Sequence, residues 1–295
     1  YWGGGPYLDE IQFVDLGDEP ATWISALAGK QVDGMTRGGV TILEPAKAMP
    51  HLTMYAVDTG DTATARMKPV KPFDDKRVRQ AMRLALDTRQ TAEAALRGTG
   101  SPGEHHHVAR VHPDYGSVPF VQRDVAKAKA LLAEAGYPNG IDIELTCNSQ
   151  TDWQPRAAQN MVEQWKEAGI RCKIAQLPSD LYWAGWKKFP FGLTTWAHRP
   201  LGVMTLALAY RSGVAWNESD YSNPEFDKLL AEAEAIVDST KRKEVMAKLQ
   251  AIMIEDGPIV LPAWAQYFTF LDKKVEGFKM HPTGYIFGHE LAIRA

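Results

Sequence analysis

Residues Lys71 to Arg89 read KPFDDKRVRQAMRLALDTR. Asp74 or Asp75 can accept from the first free amides of a helix. Val78, Ala81, Met82, Ala85 and Leu86 then follow at the spacing of one helical face. Arg79, Arg83 and Asp87 fall opposite, so the pattern predicts a half-buried helix resting on a larger body. Pro69 and Pro72 stand just before it and stop whatever sheet precedes. This is the expected boundary between two bodies.

The chain has 295 residues, long enough for a substantial core and for two domains. Its hydrophobic share of 45% and charged share of 23% are those of an ordinary globular protein. No apolar run approaches the length of a membrane span. The net charge of −3, with signs interspersed, gives no footprint for nucleic acid. Cys147 and Cys172 are too few for a disulfide scaffold. They fall on two strands of one predicted unit and could meet, though free buried thiols are the expectation.

Before the helix, Ile11 to Asp15 reads as a strand, Glu19 to Ala28 as a helix closed by Gly29, and Val32 to Met35 as a strand. Leu52 to Val57 and Thr62 to Met67 flank Asp58-Thr59-Gly60-Asp61, which predicts a hairpin. After it come a helix over about 88–97, an irregular loop over 98–120, and a helix capped by Asp124. Ile141 to Cys147 and Ile170 to Ile174 alternate as strands around a helix over about 153–168. That order predicts a parallel βαβ crossover. A third strand spans Phe191 to Trp196, and two long helices, about 224–237 and 241–255, form an antiparallel pair. The last strands, Pro258 to Trp264 and Tyr267 to Leu271, return to the first body.

Four segments carry a resemblance: PFDDKRVRQAMRLALD, AKALLAEAGYPNGIDIELT, YSNPEFDKLLAEAEA and EDGPIVLP. In type and order they resemble family 5 extracellular solute-binding proteins, the peptide and nickel binders of ABC transporters. The resemblance implies an α/β fold, the class II periplasmic-binding-protein type, with two lobes that close on a solute. A complete C-terminal lobe over 71–263 is expected, with part of the first lobe over 1–70 and return strands over 264–295. YWGGGPYLDEIQFV, with Tyr1, Trp2, Gly5, Pro6 and Asp9 matching, carries no secretory leader and reads as the middle of the family's pattern.

The resemblance further implies a periplasmic or anchored extracellular protein that presents a peptide or small solute to a membrane permease, with no cofactor. The missing N-terminal part of the same protein would be a partner. No catalytic motif interrupts that reading: G-x-S-x-G, H-E-x-x-H and Walker loops are absent from the sequence. His105, His106 and His107, with His112, raise an alternative, a carrier of nickel, haem or another metal chelate. Adjacent histidines on a loop point in different directions, so no metal ligands are assigned.

The departure from the family lies at Thr194 to Gly202, TTWAHRPLG. In the peptide-binding members this place resembles an aromatic followed by an acidic, proline-containing loop. Here His198 and Arg199 stand instead, so the charge preference should reverse toward an anionic group. Arg66 is expected to assist and Arg37 to be a weaker third candidate. Trp196 and Trp264 are the expected aromatic walls, with Trp216 and Tyr267 as further choices.

Overall fold

The computed structural model describes residues 5–17 and 19–294. The matches at Tyr1 and Trp2 lie outside the described residues. The chain forms two compact units, Tyr1–Thr59 with Gln266–Ala295 and Gly60–Ala265. The divisions expected from the sequence are at 70 and 264.

Unit one contains helix α1 (Pro20–Ala28), strand β1 (Gly34–Gly38) and helix α2 (Val40–Lys47). It also holds the first half of strand β2 (Leu52–Met67) and most of strand β8 (Ala263–Asp272). β1 runs antiparallel to β8, with Gly34 opposite Leu271 and Met35 opposite Phe270. The ladder shifts between Met35 and Gly38, where Arg37 takes a φ of 56°. Leu27, Ile42, Leu43, Phe268 and Phe270 are buried core residues of this unit. Two short strands, β9 (Val275–Glu276) and β10 (Ala292–Ile293), pair antiparallel.

Several expectations for this unit are corrected. Ile11 to Asp15 carries no strand. Gly29 keeps a φ of −79° and Lys30, not the glycine, enters the left-handed region. α2 was not read from the sequence because Pro45 stands inside it. The expected hairpin is absent: Asp58-Thr59-Gly60-Asp61 continues as strand within β2. Turn-forming composition is a local preference, and extended pairing along a long strand overrides it.

Unit two opens with the second half of β2, followed by helix α3 (Lys76–Leu84), capped by the Asp75 carboxylate on the Arg77 amide at 2.8 Å. The helix buries Val78, Ala81 and Met82, as the stripe requires, but also Arg83, expected on the opposite face, whose guanidinium donates to the Gly257 and Ile259 carbonyls. Helix α4 (Thr88–Leu96) and the two-residue strand β3 (Ser101–Pro102) follow, then helix α5 (Val125–Glu134), capped by Asp124. Strand β4 (Ile141–Asn148), helix α6 (Gln154–Lys166) and strand β5 (Ile170–Leu177) make the parallel crossover. Gly140 makes its entry possible: at a φ of +82°, a Cβ there would lie 2.0 Å from the Gly169 carbonyl oxygen. Cys172 lies opposite Ile143 and Cys147 opposite Gln176. That four-residue offset is about 13 Å along the strand, and both thiols are free.

Helix α7 (Ser179–Gly185) leads to strand β6 (Phe191–Trp196), which lies parallel to β4 and antiparallel to the second half of β2. Helix α8 (Gly202–Ala209) follows, then the antiparallel pair α9 (Pro224–Ala235) and α10 (Ser239–Glu255). Strand β7 (Ile259–Val260) pairs with β2, and the start of β8 pairs with β3. α8, α9 and α10 pack Leu206, Phe226, Leu230, Met246 and Leu249 into one core with Trp196 and Trp264. The carboxyl end of β6 therefore rests on a rigid helical layer.

Candidate functional site

A buried carboxylate fixes the end of β6. Glu218 accepts from Arg66 Nε at 2.8 Å, Thr194 Oγ1 at 2.6 Å and Trp196 Nε1 at 2.8 Å. Arg66 spends its remaining nitrogens on the backbone carbonyls of Phe189 and Trp186. It fits there because it pairs with Gly192, where a Cβ would come within 3.0 Å of Arg66 Nη2. Arg66 was expected to hold an anionic group. Its charge is instead neutralised inside the unit, and its side chain is 1% exposed.

Beyond Trp196 the chain runs through His198 and Arg199 into α8. The first amides of that helix, on Gly202 and Val203, are already satisfied by Asp114 at 2.8 and 3.1 Å. Asp114 is balanced by Arg242 Nη1 at 3.5 Å. The positive end of α8 is thereby closed to an outside anion.

His198 is buried; its Nδ1 accepts from the Gly60 amide at 2.8 Å, and its ring stacks on His112 with centroids 5.1 Å apart. Arg199 is half-buried, and its guanidinium makes only long bonds, 3.4 Å to the Ala197 carbonyl and 3.5 Å to the His198 carbonyl. Among the described residues no carboxylate lies within 4.0 Å of it.

The histidine loop is interior, not a surface chelate. Burial pushes His106 and His107 down to about 3, His112 down to about 4, and His105 well below its ordinary value. All four rings are neutral at neutral pH and do separate work. His105 Nδ1 accepts from the Leu261 amide at 3.1 Å, His112 Nδ1 from the Ala109 amide at 2.9 Å, and His107 Nδ1 meets the Tyr210 hydroxyl at 2.6 Å. Among the described residues no three metal-ligating side chains converge.

Aromatic rings lead outward from Trp196. Trp216, 47% exposed, stands edge-on to it at 5.9 Å and to Trp186 at 6.4 Å, and Trp183 follows Trp186 at 6.0 Å. His107 packs edge-on to Trp196 at 5.4 Å and lies 6.1 Å from Trp264. Trp196, His198, Arg199 and Trp264 thus belong to unit two with Arg66. Arg37 belongs to unit one, where it caps the Tyr267 ring at 5.6 Å and donates to the Thr283 carbonyl. Glu218, Asp114 and Tyr210 were missed. Each acts on a partner far away in sequence, and no local spacing marks them.

Residues 1–218 match the profile of the bacterial extracellular solute-binding proteins, family 5, middle region. The chain belongs to that family. Its family 5 relatives include haem-binding protein A of Haemophilus influenzae, 25% identical over 97% of this chain and 54% of the relative. The glutathione-binding protein GsiB of Pectobacterium atrosepticum is 26% identical over 72% of this chain and 43% of the relative. The dipeptide-binding protein of Escherichia coli is 24% identical over 96% and 55%. The chain therefore spans about half the length of these family 5 relatives.

Solved structures share its fold. The Agrobacterium binding protein AgaA in complex with agropinic acid superposes with a TM-score of 0.80 at 23% identity, over 95% of this chain and 60% of that one. The Bacillus subtilis oligopeptide-binding protein AppA, in complex with a nonapeptide, gives 0.79 at 20% identity, over 94% and 59%. The family 5 fold is thus the two-lobe α/β type. Among the described residues no helix is long and apolar enough to cross a membrane.

Proposed function

We propose that this chain is part of the substrate-binding component of an ABC import system, working in the periplasm or at the cell surface. It captures a small solute, an oligopeptide-like molecule or an anionic conjugate, and delivers it to the membrane permease without a catalytic step. The remainder of the same protein completes the binding body. The solute carries at least one carboxylate, sulfate or phosphate, and Arg199 is its main anchor.

The carrying observation is the state of Arg199. It stands three residues past Trp196, beyond the carboxyl end of β6, where open α/β sheets place their ligands. It keeps a half-exposed guanidinium without a carboxylate within 4.0 Å among the described residues. A planar fork left in that condition suits a bidentate oxyanion. Trp196, His198 and Trp216 surround the same strand end. Glutathione, dipeptides and agropinic acid, the molecules in the names of its relatives and structural neighbours, all carry carboxylates, which favours the same reading.

Calorimetry on the intact protein with glutathione, a dipeptide, deoxycholate and neutral analogues tests it. Binding of an anionic solute that is lost in Arg199→Ala supports the assignment. Tight binding of a neutral or cationic solute, unchanged in that variant, sinks it.

A further inference from the structure

Two neighbouring rings in unit two carry polar nitrogens with nothing to bond. Trp264 is 3% exposed and its Nε1 has no hydrogen-bond partner; His107 is 1% exposed and its Nε2 has none. Their ring centroids lie 6.1 Å apart with planes inclined by 31°. The indole nitrogen is a donor only.

The tautomer of His107 follows from its other contact. Its Nδ1 lies 2.6 Å from the Tyr210 hydroxyl, which has no other hydrogen-bond partner among the described residues. Burial keeps that phenol protonated and the imidazole neutral. If Nδ1 carried the proton, the phenol hydrogen and Nε2 would both be stranded. If the phenol donates to Nδ1, only the Nε2 hydrogen is left over. Stranded buried polar groups are costly, so the second arrangement holds and His107 presents Nε2–H.

We propose that Trp264 Nε1–H and His107 Nε2–H are a recognition pair for an acceptor oxygen of the solute, a carbonyl or carboxylate oxygen. The two residues determine specificity alongside Arg199. The proposal rests on the reading of unit two as solute-binding. Two uncharged donors accept an oxygen and reject an ammonium, which brings hydrogens and no lone pair. The pair adjoins the aromatic end of β6, since His107 is also edge-on to Trp196 at 5.4 Å. The surrounding protein leaves both hydrogens without an acceptor, so the acceptor comes with the occupant.

The test uses the intact, 15N-labelled protein with sodium acetate, glycylglycine and glutathione as probes and methylammonium as the counter-probe. The indole resonance of Trp264, assigned by its loss in Trp264→Phe, should move saturably with at least one of the first three and not with methylammonium. The Nε2-protonated tautomer of His107 should be visible before any probe is added. Trp264→Phe should weaken the responding probe about 3- to 10-fold, the worth of one neutral hydrogen bond.

No movement of the Trp264 resonance with any of the three probes overturns the proposal. So does a Trp264→Phe variant that binds every probe unchanged. Loss of binding in Arg199→Ala but not in Trp264→Phe leaves the anchor standing and removes the pair. The reverse pattern keeps the pair and removes the anchor.

Discussion

Arg66 Nε and a Glu218 carboxylate oxygen lie 2.8 Å apart inside unit two, with side chains 1% and 4% exposed. The same carboxylate holds Thr194 and Trp196, so one acid fixes both the charge balance and the end of β6. Glu218→Ala would leave a buried guanidinium without its carboxylate and strand Trp196 Nε1–H, while the Thr194 hydroxyl keeps that of Tyr182 as a partner. We expect a loss of about 3 to 5 kcal/mol in urea unfolding, the range for breaking a buried pair from one side. Replacing both residues by apolar ones should restore part of it. A loss below about 1 kcal/mol would mean that water or another group reaches Arg66.

Arg199 should behave in the opposite way. Its bonds to Ala197 and His198 are long and local, so Arg199→Ala should change unfolding free energy by no more than about 0.5 kcal/mol. Solute binding in the intact protein should fall by about 2 to 5 kcal/mol, with Arg199→Lys recovering only part. Equal losses in stability and affinity would make Arg199 a structural residue.

Acid should destabilise the protein before its carboxylates titrate. The folded histidines stay neutral down to about 4 for His112 and about 3 for His106 and His107, while their unfolded counterparts take up protons below about 6.5. The unfolded state therefore binds more protons in this window. Stability should be level above about pH 6.5 and fall as pH drops from there toward 4, by up to about 1.4 kcal/mol per pH unit for each fully linked ring. Urea unfolding at half-unit steps from pH 7.5 to 4 measures it. A flat profile between 6.5 and 5 would show that these rings are accessible to protons.

Gly60 permits a tight arrangement that no other residue can. A Cβ there would lie 2.8 Å from His112 Nε2 and 3.0 Å from His198 Nδ1, which already accepts from the Gly60 amide. Gly60→Ala should push the stacked imidazoles apart and cost about 1 to 3 kcal/mol in stability. Solute affinity should drop with it, because His198 precedes Arg199. Histidine ring resonances unchanged in the variant would contradict the expectation.

Local physics was legible in the sequence and long-range electrostatics was not. The Asp75 cap, the Val78 stripe and the parallel crossover depend on neighbours within a few residues or on simple alternation, and they appear as read. Asp58 to Asp61 misled because turn residues tolerate a turn without demanding one. Arg66 misled for another reason. Its sign was visible, but its neutralising partner is 152 residues away and sits in a segment with no periodicity. The histidines drew notice as a cluster, yet only burial decided that they are neutral acceptors and donors within the interior.

Both divisions between the units, at Thr59/Gly60 and Ala265/Gln266, fall inside strands, not in connecting loops. Limited digestion, which depends on exposed, unpaired chain, should find no linker to nick at either crossing. Fragments released by trypsin or proteinase K should end in the irregular, partly exposed stretches around residues 117–124 or 277–287 instead. An isolated unit two would have to be built as a recombinant piece with two strands cut mid-length, each leaving a raw edge.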